Sequence, residues 1–354
     1  MSTAAATAPV VDLDGVTFWL PDAQALLLGV RLRQQAPASD EQLAFGYRRG
    51  GWSLRLVRPP VDRLEYLVEL ELPNGRRETI PDPTNAVRVA GAFGEKSVIE
   101  FPGYRSPGWL ANSAAIVPMT RTPVAVPSRQ LGATFHAEVL APESLANTAQ
   151  APLVMVNDGP EYAHLASFVR YVGAMIAADR IPPVRIALLE PGDRNRWYAV
   201  NPAYARSLAT EVIPVLSHLA PSKHRIAVGA SLGALAMLHA HRLYPQLFAA
   251  LFLQSGSFFT AELDPQESRF PRYRAVTRFV TDLCRAVTDP APVPTALTFG
   301  MIEENAANNR AMATTLDRLG YPVRLHECRD LHNYTAWRDA LHPGLTELIR
   351  GVAS

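Results

Sequence analysis

The first hundred residues consist of short apolar runs separated by turn residues, a pattern typical of β-strands. Such runs occupy residues 16–21, 25–33, 64–73 and 97–102. The third run leads through Asn74 and Gly75 into RRETIP, and both turn residues tolerate the positive φ of a tight hairpin. This pattern predicts a small all-β sandwich over residues 1–102.

A segment rich in Pro, Gly and Ser, residues 103–127, is interpreted as a linker. After it, apolar strands alternate with amphipathic helices. Strands are predicted at 134–142, 152–158, 184–191, 224–230, 250–256, 295–301 and 323–330. Most of the later ones are continuously apolar, as strands covered on both faces are. Residues 128–354 are therefore predicted to form a doubly wound α/β domain with a mainly parallel sheet.

The helical segments have apolar residues at intervals of three and four. They are predicted at 165–176, 201–219, 232–244, 308–320 and 337–352. Pro214 is expected to bend or interrupt the second of them, because proline removes a helical hydrogen bond.

Composition narrows the classes of function. The chain has 354 residues, 48% hydrophobic and 19% charged, with a net charge of +1, which gives no basic field for nucleic acid. Two cysteines are too few for a disulfide framework. No signal peptide and no run long enough to span a membrane are evident, so we expect a cytoplasmic protein. The sequence leaves a homo-oligomer open.

The motif Gly229-Ala-Ser231-Leu-Gly233 lies between a predicted strand and a predicted helix. This context is the one that the nucleophile elbow of serine hydrolases requires. A serine that merely caps a helix is the alternative. We predict that Ser231 is a nucleophile.

A serine nucleophile needs an adjacent general base, and in this fold the histidine comes last along the chain. His332 satisfies this order, since it directly follows the last predicted strand. His326 is expected to pack within that strand. A purely structural loop histidine is the alternative for His332.

The acid of the triad should follow the preceding strand, which ends at Glu303 and Glu304. Glu303 is favoured over Glu304, and Asp330 is less favoured because it is so near His332 in sequence. Either glutamate could instead begin the next helix, where acids interact well with the helix dipole.

These residues give the C-terminal part, about 128–350, a resemblance to the enterochelin-esterase-like branch of the α/β-hydrolases. The resemblance rests on Asp158-Gly159, Gly229 to Gly233, QSGSF at 254–258, Gly300-x-x-Glu303 and His332-x-x-x-x-Trp337-Arg338. The N-terminal part is similar, more weakly, to the β-sandwich that precedes such esterases and to E-set domains.

The resemblance implies roles for individual residues. Ser231, Glu303 and His332 take the triad roles, and the Leu232 N–H takes one oxyanion position. Asp158, Arg194, Trp197, Tyr198, Ser257, Trp337 and Arg338 are the implied substrate-binding residues, although the aromatic ones could equally be packing. One departure from the family pattern is Pro160, which lacks the N–H of the second oxyanion donor. We expect Glu161 N–H or the Tyr162 hydroxyl to replace it.

The sequence thus predicts a serine esterase that forms an acyl-serine intermediate on a small-molecule ester and needs no metal or organic cofactor. The resemblance suggests a siderophore polyester as substrate. Two other readings stay open. One is an acyltransferase that uses the same triad, and the other is a catalytically weak binding or scaffold protein on a hydrolase fold.

Overall fold

A computed structural model describes residues 8–111 and 113–353. The chain divides into two compact units. The first unit runs to Arg105 and includes two later segments, 300–303 and 328–333. The second unit comprises 106–299, 304–327 and the chain from 334 onward. The first seven residues, part of the segment in which no signal peptide was predicted, lie outside the described residues.

The first unit is all-β, as predicted. Its strands are β1 (Val10–Val11), β2 (Gly15–Pro21), β3 (Gly29–Arg33), β4 (Gly46–Arg48), β5 (Gly51–Val57), β6 (Arg63–Glu71), β7 (Arg77–Ile80), β8 (Arg88–Gly91) and β9 (Gly94–Glu100). One antiparallel sheet has the order β1-β2-β5-β4, and the other has the order β3-β6-β9-β8, with β7 paired to β6.

The two sheets share one apolar core because alternate residues of each strand face it. Phe18 of β2 contacts Tyr66 of β6 edge to face, with ring centroids 5.0 Å apart. The predicted hairpin is confirmed, since Gly75 has a φ of 77° and β7 pairs antiparallel with β6.

The strand predicted over 25–33 begins only at Gly29, and its first part was predicted wrongly. The carboxylate of Asp22 accepts the N–H groups of Leu26 and Leu27, at 2.8 and 3.0 Å. This aspartate turn provides the backbone with local hydrogen bonds that compete with strand pairing.

The second unit contains one sheet of eight strands. They are β10 (Met119–Ser128), β11 (Ala133–Pro142), β12 (Leu153–Val156), β13 (Arg185–Leu189), β14 (Arg225–Ala230), β15 (Ala250–Gln254), β16 (Thr295–Gly300) and β17 (Val323–Cys328). Their order is β10-β11-β13-β12-β14-β15-β16-β17. The pairs from β13 through β12, β14 and β15 to β16 are parallel, whereas β11 is antiparallel to both its neighbours. The seven strands predicted after residue 128 are all present.

The helices of the second unit are α1 (Gly159–Leu165), α2 (Phe168–Ala177), α3 (Arg194–Tyr198), α4 (Pro202–Ser207), α5 (Ile213–Leu219), α6 (Leu232–Leu243), α7 (Tyr273–Arg285), α8 (Ala306–Arg318), α9 (Tyr334–Asp339) and α10 (Gly344–Ala353). Short 3-10 helices cover Gly108–Leu110 and Pro265–Arg269. The predicted interruption near Pro214 is confirmed, because a π-helical turn at Leu208–Val212 separates α4 from α5. Helix α7 was not predicted.

Apolar clusters cover both faces of this sheet. Helix α6 packs on one face and helix α10 on the other, as a doubly wound sheet requires. The predicted fold class is confirmed: an α/β-hydrolase fold with an all-β N-terminal part. Within residues 8–111 and 113–353, no helix has both the length and the apolar character to cross a membrane.

Candidate active site

Ser231 occupies the sharp turn between β14 and α6 in the second unit. Its backbone has φ 55° and ψ −125°, a conformation that is strained for any residue other than glycine. Its N–H donates to the carbonyl of Gln254, and its own carbonyl accepts from Ala234 and Leu235 at 3.1 and 3.2 Å. This turn holds the serine in a strand–turn–helix arrangement typical of nucleophile elbows.

The two glycines of the motif lie close to neighbouring atoms. A Cβ on Gly229 would lie 2.5 Å from the carbonyl of Gly233, so strand and helix could not meet with a side chain there. A Cβ on Gly233 would lie 3.1 Å from Oδ2 of Asp158. Gly229 therefore needs to be glycine, whereas a side chain at Gly233 would require a small shift of Asp158.

Candidate oxyanion donors are found at two helix starts. Leu232 is the first residue of α6, so its N–H has no partner within that helix. Pro160 lies in the first turn of α1 and has no N–H. The Tyr162 hydroxyl donates to Oε1 of Gln254 at 2.9 Å, and Tyr162 is fully buried, so the expectation that it replaces the missing donor is wrong. Glu161 N–H remains the candidate.

Asp158 and Arg194 form a bidentate ion pair beside the elbow. Nε and one terminal nitrogen of Arg194 donate to the two carboxylate oxygens at 2.7 and 2.9 Å. Burial lowers the pKa of Arg194, but the Asp158 carboxylate outweighs this effect and raises that pKa above its usual range. Because two donor groups of Arg194 bind the Asp158 carboxylate, the positive charge of Arg194 is largely balanced by that carboxylate.

The aromatic residues of the predicted site are buried. Trp197 stacks on Phe135 with ring centroids 5.8 Å apart, and Tyr198 accepts the N–H of Asp158 through its hydroxyl oxygen. Trp337 donates its indole N–H to Oγ of Ser255 at 2.9 Å. Arg338 pairs with the neighbouring Asp339. The substrate-binding role of these residues stays a prediction.

Ser257 contacts the candidate nucleophile directly. Its Oγ lies 3.1 Å from Oγ of Ser231, and its N–H donates to the Ser231 carbonyl at 3.2 Å. Ser257 is 2% exposed, whereas Ser231 is half-buried. The sequence resemblance had assigned Ser257 only to the pocket lining.

Asn309 holds the Ser257 loop in place and was missed by the sequence analysis. Its side-chain oxygen accepts the N–H of Gly256 at 2.9 Å, and its amide nitrogen donates to the Gly256 carbonyl at 2.8 Å. Asn305 donates to the Ser255 carbonyl at 3.2 Å. The available signal was the polar run Asn305, Asn308 and Asn309 at the start of a helix, since asparagine is a weak helix former and needs buried partners.

His332 and Glu303 lie together in the first unit. Nδ1 of His332 is 3.6 Å from Oε1 of Glu303. The other carboxylate oxygen, Oε2, accepts the N–H of Gly300 at 2.9 Å. Glu303 is 5% exposed, whereas Glu304 is exposed. The contact with His332 supports Glu303 over Glu304 as the acid.

The two segments that carry this pair, 300–303 and 328–333, are in close contact at Gly300. A Cβ there would lie 2.3 Å from the carbonyl oxygen of Asp330, and Met301 N–H donates to the Cys328 carbonyl at 2.8 Å. Leu331, 1% exposed, packs into the core of the first unit. These contacts hold in place the segment that leads to His332.

Loop residues of the first unit also support the His332 segment. Gln35 donates to the His332 carbonyl at 3.3 Å, and Asp62 N–H donates to the Arg329 carbonyl at 2.8 Å. Burial raises the pKa of Asp330 to about 7, although nearby Arg63 acts to lower it. Asp330 in turn accepts the side-chain amide of Asn333 at 3.1 Å.

His326 lies on β17 as predicted, but it is exposed, so its predicted packing is wrong. Strand β17 is at the end of the sheet order, and edge strands are less covered than central ones.

Comparison with known proteins identifies the family of the chain. Residues 128–348 match the model of the family described as "Putative esterase". An iron(III) enterobactin esterase from Dickeya dadantii is 27% identical over 217 residues, covering 57% of this chain and 49% of the relative. The chain thus matches only about half the length of the curated relatives.

Two solved structures share the fold over nearly the whole chain. The enterobactin esterase from Shigella flexneri, crystallised in the presence of enterobactin, has a TM-score of 0.75 at 19% identity and covers 94% of this chain and 92% of its own. The ferric enterobactin esterase from Salmonella typhimurium has a TM-score of 0.77 at 18% identity, with coverage of 99% and 98%. At this identity the likeness concerns the fold alone.

Proposed function

The chain belongs to the putative esterase family, and on that premise we propose that it hydrolyses a carboxylic ester through an acyl-serine intermediate on Ser231. The observation that supports this most is the conformation of Ser231, which is held at φ 55° between β14 and α6. Strain of this kind persists where the surrounding structure enforces it, and it is frequent at catalytic residues. A serine that served only as a helix cap would not need it.

In the first proposed step, Ser231 Oγ attacks the ester carbonyl carbon while His332 takes the hydroxyl proton. A carbon–oxygen bond forms, and the π electrons of the carbonyl move to its oxygen as an oxyanion. Glu303 stabilises the resulting imidazolium, and its contact with Nδ1 of His332 at 3.6 Å supports that role. The Leu232 and Glu161 N–H groups are the proposed oxyanion donors.

In the second step, the tetrahedral adduct collapses and expels the alcohol, which receives the proton from His332. Water then attacks the acyl-serine with His332 as base, so that the acid is released and Ser231 recovers its proton. The atoms balance as one ester plus one water giving one acid and one alcohol.

The proposed substrate class is the catecholate siderophore polyester, because curated relatives and structural neighbours are named enterobactin esterases. We propose that Arg194 and Arg338, which are partly exposed and each paired with an aspartate, face the substrate. The buried Asp158, Trp197, Tyr198 and Trp337 would shape the pocket from behind, as their contacts suggest.

The experiment is a hydrolysis panel that contains a catecholate trilactone, its iron(III) complex, a feruloyl ester and a short p-nitrophenyl ester. The wild type is expected to have its highest kcat/KM on the trilactone or its iron complex, and Ser231→Ala to hydrolyse none of them measurably. A wild type that hydrolyses only the feruloyl or p-nitrophenyl ester would refute the substrate class. Equal rates for wild type and Ser231→Ala would refute the mechanism.

A further inference from the structure

We propose that Ser257 is a catalytic residue whose hydroxyl donates a hydrogen bond to the negative charge that forms at the Ser231 reacting centre. This inference rests on the proposed function of Ser231 as nucleophile. It starts from the 3.1 Å separation of the two Oγ atoms, both of which lie in the second unit.

The donor direction follows from counting protons. A hydroxyl has one hydrogen to donate and two lone pairs to accept with. During attack the Ser231 hydrogen must go to the general base, so it is not available to Ser257. The hydrogen between the two oxygens is then that of Ser257. As the bond from Ser231 Oγ to the ester carbon forms, negative charge builds on the former carbonyl oxygen, and the proposed hydrogen bond from Ser257 shifts to that oxygen. Ser257 keeps its proton throughout, and no bond to it breaks.

The chemistry at this site lacks a donor in the usual place. Acyl transfer generally employs two or more donors around the oxyanion, and Pro160 lacks the N–H expected there. The oxyanion is the former carbonyl oxygen, which is bonded to the carbon that Ser231 Oγ attacks, so a donor within hydrogen-bond distance of Oγ lies near it. Ser257 can therefore compensate for part of the electrostatic stabilisation that Pro160 cannot provide.

The Ser257 hydroxyl is also held rigidly, which a useful electrostatic donor must be. Its own N–H is bonded to the Ser231 carbonyl, so the two residues are tied by backbone as well as side chain. Asn309, which is fully buried, holds the preceding Gly256 through both of its backbone polar groups. A Cβ on Gly256 would lie 2.2 Å from the Phe258 ring, so the loop packs closely against that ring and leaves no room for a side chain at Gly256.

The test compares Ser257→Ala and Ser257→Cys with a matched control, Ser207→Ala. Ser207 is also a fully buried serine in the second unit, and its Oγ lies 2.8 Å from Oγ of Ser128, so its removal likewise deletes a serine–serine hydrogen bond. Rates are measured on the best ester of the panel, together with Tm for each variant.

Ser257→Ala is expected to lower kcat by about 10²-fold with little change in KM, the loss typical of one transition-state donor. Ser257→Cys, whose S–H is a weak donor, should fall between wild type and alanine. Ser207→Ala should keep the wild-type kcat, and the Tm of Ser257→Ala should fall no more than that of Ser207→Ala.

Three results would overturn the inference, and one of them bears on more than Ser257. An active wild type with Ser257→Ala at full kcat refutes the role of Ser257 and leaves the esterase proposal intact. Equal losses of kcat in Ser257→Ala and Ser207→Ala would show a general packing effect and would also refute it. A wild type inactive on every ester refutes the proposed function, and the inference falls with it.

Discussion

The nucleophile and the acid–base pair of the proposed triad are supported in different ways. Ser231 lies between a complete strand and a complete helix of the second unit, with close glycine contacts on both sides. His332 and Glu303 instead lie on two short segments, 328–333 and 300–303, that belong to the first unit with the β-sandwich strands. The first arrangement depends on neighbours in sequence, and the second depends on residues hundreds of positions away.

The His332 segment is held by residues of the N-terminal part of the chain. The carbonyl of His332 accepts a hydrogen bond from the side chain of Gln35, and Leu331 is buried in the core of the β-sandwich. Damage to the β-sandwich is therefore expected to impair the general base, while the nucleophile elbow stays formed.

The largest loss of activity is expected when either the proposed nucleophile or the proposed general base is removed. Ser231→Ala and His332→Ala should each lower kcat by about 10⁴-fold or more, and the double variant should be no slower than either single one, because the two groups act as a unit. Single-turnover kinetics of the three variants measure this. Losses that multiply in the double variant would mean that the two residues act independently.

The next effect separates the two candidate acids. Glu303→Gln keeps the shape of the side chain but removes the charge that faces His332, and should lower kcat by about 10³–10⁴-fold. Glu304→Gln is the matched control and should stay near wild type, because Glu304 is exposed. The reverse ranking in steady-state assays would transfer the role to Glu304.

The stability of the protein is expected to depend on pH through Asp330, which lies in the first unit. Burial raises the pKa of Asp330 from 3.8 to about 7. The folded state thus holds this proton more tightly than the unfolded chain, so the contribution to stability is fully present below about pH 4 and is lost as the pH rises through about 7. Arg63 and Glu65, also buried, are the charged neighbours.

The measurement is the free energy of unfolding in urea for wild type and Asp330→Asn across that range. The wild type should lose stability relative to Asp330→Asn by a few kcal/mol between about pH 4 and pH 8. A constant difference between the two proteins at all pH values would contradict the assignment.

The smallest effect concerns the support of the nucleophile half. Asp158→Asn leaves Arg194 without its charged partner and should destabilise the fold by about 2 kcal/mol, below the usual cost of breaking a buried pair because Arg194 is about a third exposed. Glu138→Gln, which breaks the exposed pair with Arg121, is the control and should cost well under about 1 kcal/mol. Equal costs in urea unfolding would show that the Asp158 pair has no special structural role.

The elbow could be predicted from sequence because its determinants are local. A strand pattern, a small-residue turn and a helix pattern follow one another directly around Ser231, and each is visible within a few residues. The interruption near Pro214 was predictable for the same reason, since proline acts on its own helix.

The support around the site was not predictable, because it is tertiary. Nothing near Asn309 in sequence indicates that its amide binds Gly256, and nothing near Gln35 indicates that it reaches the His332 carbonyl. The fate of Tyr162 had the same cause, since only the fold reveals that Gln254 accepts its hydroxyl. Local sequence patterns predicted the candidate chemical groups, whereas their hydrogen-bond partners could be identified only in the folded chain.

The central claim is that Ser231 is a nucleophile with His332 as its proposed general base, and covalent labelling tests it most directly. The wild type is treated with a fluorophosphonate, digested and analysed by mass spectrometry, in parallel with Ser231→Ala and His332→Ala. We predict stoichiometric modification of Ser231 in the wild type, none in Ser231→Ala, and labelling in His332→Ala that is slower by several orders of magnitude. Labelling of His332→Ala at the wild-type rate, or an unmodified Ser231 in the wild type, would contradict the account.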